Sequence, residues 1–150
     1  MIHFEFDKPY QDVDPQLLEK AARATLENQK ASQDVDLSIV ISGDEKLHQL
    51  NLQYLGVDAP TDVLSFPGDF TDPESGVPYL GDVVISYPRV KAQAAAGKHS
   101  EQDELHLLVV HSILHLLGHG HADPEGKDRM WAAQSEILDI LGITINPSSD

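Results

Sequence analysis

Residues 111–121 read HSILHLLGHGH, and this stretch contains four histidines in eleven residues. His111 and His115 are four residues apart, so in a helix they lie one turn apart on the same face, about 5–6 Å from each other. Two imidazoles at that separation can bind one metal ion. Gly118 can adopt a positive φ, which ends the helix and turns the chain back toward the same point. A third imidazole from the following residues can therefore join the first two.

The third histidine is either His119 or His121, and the spacing alone leaves both open. Three histidine ligands with one open position form a catalytic zinc site, whereas structural zinc sites are closed by four ligands that usually include cysteine. The chain has no cysteine. Several histidines in an otherwise apolar, buried helix also need polar partners, which a metal ion provides. The sequence therefore predicts a catalytic metal centre.

The composition describes an acidic chain of one domain, residues 1–150. There are 25 acidic and 10 basic residues, a formal net charge of −15, and no Lys or Arg lies between Lys46 and Arg89. This charge argues against broad capture of nucleic acid, which depends on neutralising phosphates, and we expect no DNA partner. Neither a signal peptide nor a run of about 20 apolar residues is present, so we expect a cytoplasmic protein without a membrane partner.

Apolar periodicity predicts strands that alternate with helices, with Val35, Leu37, Ile39 and Ile41 on one face of the second strand. The predicted helix caps are Asp14, Ser42 or Asp44, Ser100 and Asp123. The class is α/β or α+β, with a single small mixed β-sheet, packing helices and a buried, zincin-like metal-binding helix. Pro67 is expected to end one strand, and the Gly-, Pro- and Asp-rich stretch 68–78 is expected to form a mobile loop. We predict strands at 2–6, 35–42, 63–66 and 80–86, and helices at 15–30, 44–54, 88–96, 101–117 and 125–141.

The general base is missing from its usual place. In the zinc-peptidase motif H-E-x-x-H, the Glu after the first His is the base, but here that residue is Ser112. A serine does not accept a proton from activated water at neutral pH, so an ordinary metallopeptidase is disfavoured. The residues alone indicate a metal-dependent hydrolase whose base is unknown, with Ser112 and Asp82 as the catalytic candidates.

Further blocks accompany the histidine stretch, in this order: Leu50-Asn51 with Tyr54, PTDVLSFP at 60–67, LGDVVI at 80–85, Gln93-Ala94, and Met130 with Gln134, Ile137 and Leu138. Together with the histidines, these blocks resemble the YbeY family, the bacterial rRNA maturation factors described as single-strand-specific, metal-dependent endoribonucleases. The resemblance covers most of the chain after about residue 35.

The resemblance implies zinc ligands at His111, His115 and His121, with one Zn²⁺ ion per chain. Three histidines also suit Ni²⁺ and other divalent ions. The family's role implies an endoribonuclease that acts on single-stranded rRNA in 16S rRNA 3′-end maturation and late ribosome quality control, with the small ribosomal subunit as partner.

Three residues depart from the family pattern. Leu55 stands where the family commonly has Arg, and it cannot donate to a phosphate. His119 and Gly120 stand where Tyr and Asp are frequent. The substrate-binding candidates are therefore Arg89 as the first cation available to a phosphate, Asp62 in the Pro-Thr-Asp turn, and Ser65 in the following strand.

Two alternative functions stay open at this point. One is a metal-dependent hydrolase of another bond, including peptides, against which Ser112 argues. The other is a non-catalytic ribosome-assembly factor whose zinc mainly holds the fold, which Leu55 and the net charge of −15 favour.

Overall fold

The computed structural model describes residues 1–119 and 123–145, which form one mixed α/β fold. No helix in these ranges is long and apolar enough to cross a membrane. The elements in chain order are β1 (Ile2–Phe6), α1 (Pro15–Asn28), β2 (Asp36–Ser42), α2 (Asp44–Leu50), a π-helical turn (Asn51–Leu55), β3 (Val63–Thr71), β4 (Pro78–Ser86), α3 (Tyr87–Gly97), α4 (Glu101–Leu116) and α5 (Pro124–Ile140).

The sheet is small and mixed, as the sequence predicts. Within the described ranges its four strands lie in the order β1-β2-β4-β3. β1, β2 and β4 are parallel, and β3 pairs antiparallel with β4. β3 is therefore an edge strand with one side unpaired.

Helix α4 packs on one face of this sheet and is buried, as its apolar sequence predicts. Ile39 of β2, Val83 and Ile85 of β4, and Val109 and Ile113 of α4 belong to one core cluster and are fully buried. Burial of each such side chain contributes about 1.5–3 kcal/mol. This packing fixes where the histidine face of α4 lies relative to β3.

Three helices begin at the predicted side-chain caps. Asp14 accepts from the backbone N–H of Gln16, Ser100 accepts from Asp103, and Asp123 accepts from Gly126. Each bond satisfies a donor that the first helical turn leaves without a partner. The start of α4 is thereby fixed about three to four turns before its histidines.

The prediction that Pro67 ends its strand is wrong. β3 continues to Thr71 with a register irregularity between Pro67 and Phe70, and it forms a β-hairpin with β4. Pro67 faces Gly81 at the edge of the sheet, where a missing N–H removes no ladder bond. The stretch 68–78, predicted as a mobile loop, is thus largely strand and turn.

The predicted helix 44–54 is also interrupted. α2 ends at Leu50, and the next five residues form the π-helical turn, which Gly56 closes at φ +71°. Gly43 occupies the cap position without a side-chain bond. The side chains expected to cap instead serve tertiary contacts: Ser42 donates to Asp7, and Asp44 accepts from Ser86.

Candidate metal centre

His111 and His115 lie on the same face of α4, as the spacing predicts. Their ring centroids are 4.7 Å apart with an interplanar angle of 75°. The Nε2 atom of His111 lies 3.2 Å from the Nε2 atom of His115.

The other ring nitrogen of each histidine is held by an oxygen. The Nδ1 atom of His115 lies 3.1 Å from the carbonyl oxygen of His119, which can only accept a hydrogen bond. The Nδ1 atom of His111 lies 3.0 Å from Oε1 of Gln134 on α5. Both Nδ1 atoms therefore carry the proton, and in the neutral rings both Nε2 atoms carry a lone pair.

Two Nε2 lone pairs that face each other at 3.2 Å favour a proton or a metal cation between them. Two nitrogens bound to one tetrahedral zinc at 2.0–2.1 Å are about 3.3 Å apart. The orientation of the rings therefore fits a shared metal ion. The oxygens on the Nδ1 side are the usual outer partners of metal-binding histidines.

The turn after α4 shapes this centre. Gly118 has φ +104°, its N–H donates to the carbonyl of His115, and the N–H of His119 donates to the carbonyl of Leu114. These two bonds form a Schellman motif. The motif ends the helix and returns the His119 carbonyl to the ring of His115, as the glycine in the sequence predicts.

The third predicted ligand, His121, lies outside the described residues. Among residues 1–119 and 123–145, no third His, Cys, Asp or Glu joins His111 and His115 in a group able to hold a metal. The ring of His119 contacts Gln29 at the end of α1, with 2.6 Å between Nε2 and Oε1. His119 thus contributes its carbonyl oxygen here, and not its imidazole.

A pocket of about 430 Å³ lies between the second half of α4 and β3. It brings together the two histidines and two of the three substrate-binding candidates, Asp62 and Ser65. Leu55 also lines it, so the departure from the family pattern lies at the pocket itself. The remaining lining residues are Val63, Leu64, Pro67 and Leu116.

The free edge of β3 forms one wall of this pocket. The N–H of Ser86 donates to the carbonyl of Asp62, which makes these two residues a hydrogen-bonded pair. Because such pairs alternate along an antiparallel ladder, Val63, Ser65 and Pro67 direct their backbone groups away from β4. The N–H of Val63 donates to the Asp62 carboxylate. Ser65 therefore presents its backbone N–H and carbonyl outward along this edge.

Asp62 is held in place by a set of donors. Its Oδ1 atom accepts from the N–H of Val63 at 2.8 Å and from the hydroxyl of Thr61 at 3.3 Å, and its Oδ2 atom accepts from the amide of Gln93 at 3.3 Å. Two glutamines thus support the pocket, Gln93 at Asp62 and Gln134 at His111. The family blocks contain both, but no pattern in a single sequence assigns them these roles.

A buried contact between a histidine and a glutamate lies behind the pocket. Glu104 precedes His111 by seven residues, so it lies on the same face of α4 two turns earlier, and His99 contacts its carboxylate at 2.5 Å. Burial raises the pKa of Glu104, the His99 contact opposes this, and the charge of Asp62 raises the pKa further. The His99 side chain is only 11% exposed, so this contact is largely shielded from solvent.

Three candidate residues are not brought to the pocket. The guanidinium of Arg89 pairs with Asp44 at 3.2 Å and does not line the pocket. Ser112 is fully buried and also absent from the lining. Its hydroxyl has no hydrogen-bond partner within the described part of the chain.

Asp82 lies on the opposite face of the sheet. Its neighbours Val83 and Ile85 point into the core beneath α4, so Asp82 points away from α4. There it accepts from the hydroxyl of Tyr79. Burial raises the pKa of that Tyr79 hydroxyl, and the Asp82 carboxylate raises it further. The sheet therefore separates the catalytic candidate Asp82 from the histidines.

Comparison with known proteins agrees with this architecture. The sequence model of the family described as "Endoribonuclease YbeY" matches residues 4–142. Proteins named endoribonuclease YbeY from Roseiflexus castenholzii and Chloroflexus aurantiacus are each 46% identical to this chain, covering 88% and 87% of it and 86% and 88% of their own lengths. The relative from Dehalococcoides mccartyi is 40% identical over 86% of this chain and 91% of its own.

The fold also matches a solved structure. A Thermotoga maritima protein determined in solution superimposes with a TM-score of 0.59 at 26% identity, covering 100% of this chain and 96% of that one. Sequence relatives, family match and fold all agree with the blocks around the histidine pair. The chain therefore belongs to the YbeY family of endoribonucleases.

Proposed function

We propose that this chain is a zinc-dependent endoribonuclease that cleaves single-stranded RNA in 16S rRNA 3′-end maturation and late ribosome quality control. Its family is named for endoribonuclease activity, which makes the chain a hydrolase that acts on RNA. The observation that carries the metal part of the proposal is the pair of Nε2 atoms facing each other at 3.2 Å.

The proposed ligands are His111, His115 and His121, with one zinc ion per chain. Ni²⁺ also suits three histidines, so the choice of metal depends on availability in the cell. Gln134 and the His119 carbonyl keep the first two rings in their binding tautomer. When bound, the ion supplies Lewis-acid chemistry, which activates water and polarises a phosphoryl oxygen.

Asp62 and Ser65 are proposed to hold the RNA. The Asp62 carboxylate can only accept hydrogen bonds and repels phosphate, so we assign it to a ribose hydroxyl. A contact to the 2′-hydroxyl is what lets a protein tell RNA from DNA. The outward N–H of Ser65 and its hydroxyl are suited to donate to a phosphate. Arg89 is not assigned this role because it pairs with Asp44 outside the pocket.

The net charge of −15 affects how the protein associates with RNA. An acidic protein gains nothing from long-range attraction to a polyanion. Docking on the small ribosomal subunit in the cytoplasm would instead present the rRNA end at high local concentration. We therefore propose that docking on the small ribosomal subunit brings the RNA to the pocket, because the acidic chain does not attract RNA by its charge.

The test is cleavage of a single-stranded rRNA 3′-end fragment by metal-quantified protein, compared with His115→Ala. We expect the wild type to cut the single strand, to leave the duplex and the matching DNA intact, and to stop in chelator. His115→Ala is expected to lose the metal and the cleavage. His106→Ala is the matched control, since it removes an imidazole from the same helix outside the pocket and should keep the cleavage.

Equal cleavage by His115→Ala would contradict a metal-dependent nuclease. Intact RNA with a fully zinc-loaded wild type would favour the non-catalytic assembly factor. Cleavage of a casein-like protein with no cleavage of RNA would favour the hydrolase of another bond.

A further inference from the structure

The π-helical turn exposes its apolar residues and buries a polar one. Asn51 is 6% exposed, and its amide donates to the carbonyl of Ala59 at 2.9 Å, which fixes the turn. Around it the large apolar side chains face solvent: Leu52 is 50% exposed, Tyr54 59%, Leu55 60% and Val57 46%. Contiguous exposed apolar patches on a protein surface mark binding sites, whereas single exposed apolar residues are ordinary.

This surface is continuous with the metal pocket. Leu55 lines the pocket together with His111 and His115. The ring of Tyr54 packs on the ring of Phe66 in β3, with centroids 5.3 Å apart and an interplanar angle of 59°. Phe66 pairs with Asp82 and points to the face of β3 opposite Ser65 and the histidines. The surface therefore reaches the pocket at Leu55 and passes around the free edge of β3 to Tyr54. Tyr54 is thus supported on one side while more than half of its surface stays open to solvent.

The residue types of the π-helical turn decide which part of a nucleotide it can bind. No Lys or Arg lies between Lys46 and Arg89, so this surface offers no cation to a phosphate. It offers the aromatic ring of Tyr54 and the aliphatic side chain of Leu55, which are consecutive in the chain and both more than half exposed. Any of the four bases can stack on such groups when it is unpaired, whereas a base within a duplex is already stacked and paired.

We propose that Tyr54 and Leu55 bind an unpaired base next to the phosphate held in the pocket, so that stacking selects single-stranded RNA at this position. The inference rests on the proposed function, because it takes RNA as the occupant of the pocket. It assigns Tyr54 and Leu55 a role in substrate binding and none in the reaction itself.

The test measures binding to zinc-loaded protein, using a short single-stranded RNA with phosphorothioate linkages that slow cleavage. Tyr54→Ala is expected to weaken binding roughly 5- to 150-fold, the range for loss of one stacked base. Tyr54→Phe keeps the ring and should bind like the wild type. Leu52→Ala is the matched control, because Leu52 is exposed in the same turn but does not line the pocket.

An abasic residue moved along the RNA then locates the contact. At one position, the abasic residue should weaken binding of the RNA to the wild type. The same abasic RNA and the intact RNA should bind Tyr54→Ala equally well. Because no charge is removed, the dependence of binding on salt concentration should be the same in both proteins. Unchanged binding by Tyr54→Ala, or an equal abasic effect in both proteins, would overturn the inference.

The outcome is separable from that of the cleavage experiment. If the wild type cuts RNA but Tyr54→Ala binds normally, the proposed function stands and the stacking contact is refuted. If binding depends on Tyr54 but no RNA is cut, the contact stands and the nuclease proposal fails. If sedimentation shows a dimer that Tyr54→Ala dissociates, the surface joins two copies of the chain and the inference is refuted.

Discussion

Among single residues, His106 shows that a histidine in this helix need not serve the metal. It lies on α4 five residues before His111, about 140° away around the helix, and it does not line the pocket. Burial lowers the pKa of His106, and the charge of Lys20 on α1 acts in the same direction. Asp103 and the backbone of Leu17 oppose this shift without cancelling it. The folded protein therefore keeps this imidazole neutral below its ordinary pKa.

The sign of the effect on stability follows from that shift. Above about pH 6.5 the ring is neutral in both the folded and the unfolded state, so it adds no pH dependence. Below that pH the unfolded chain takes up the proton more readily, and the free energy of unfolding falls. When the pH falls from 7 to 5, we expect the free energy of unfolding to decrease less for His106→Leu than for the wild type. Urea unfolding in the presence of chelator measures this difference.

The control for this prediction is Gln102→Leu, which adds the same side chain at an exposed position of α4, removes no titrating group and should follow the wild type. A wild type and a His106→Leu variant with parallel stability curves would contradict the argument. Chelator is needed because the loss of metal from His111 and His115 at low pH would otherwise add its own effect.

At the scale of elements, sequence patterns predicted what is decided locally. The alternation of Leu37, Ile39 and Ile41 predicted the face of β2 that is buried, and Ser100 predicted the start of α4. The course of β3 past Pro67 depends on β4 and so could not be read locally. Likewise, the face on which Asp82 lies is set by strand register with β2 and β3.

The candidate site divides in the same way. The spacing of His111 and His115 and the turn at Gly118 are local, and the structure agrees with both. Gln134 reaches His111 across 23 residues, because α5 packs against α4. Lys98 takes the positive φ after α3, and a Cβ on Gly97 would lie 2.5 Å from the ring of His99. Such contacts appear only once the helices are packed.

Two helix ends provide a matched test of how the C-terminal turn of α4 serves the metal. Gly118 after α4 and Gly142 after α5 both have positive φ, +104° and +75°, and both lie in Schellman motifs with open space around the missing Cβ. Alanine at either position should cost about 1–2 kcal/mol of stability from backbone strain. Only Gly118 leads into the carbonyl that holds His115.

We therefore expect Gly118→Ala to weaken zinc binding and Gly142→Ala to leave it unchanged, measured by competition with a chromophoric chelator. A weakening of roughly 10- to 100-fold is typical when the group that orients a metal-binding histidine is disturbed. Equal zinc affinity in the two variants, at equal loss of stability, would show that this turn does not orient His115.

For the whole molecule, the hydrophobic core and the metal centre are separate. The main core cluster joins β1, β2 and β4 to helices α1, α3, α4 and α5, whereas the histidine rings lie at a pocket beside the edge strand. The fold should therefore survive removal of the metal. This separates the chain from small zinc domains, in which the binding free energy of the metal is the folding free energy.

Metal binding still adds to stability by mass action, because the unfolded chain does not hold the histidines together. At free zinc 100-fold above the dissociation constant the gain is about 2.7 kcal/mol, which in a domain of about 150 residues raises the unfolding midpoint by roughly 5–11 °C. We expect chelator to lower the midpoint of the wild type by this amount with no change in far-ultraviolet circular dichroism. His115→Ala should show no response to zinc or chelator. If chelator instead abolished the dichroism, the zinc would hold the fold itself, and the non-catalytic assembly factor would become the better account of the histidine site.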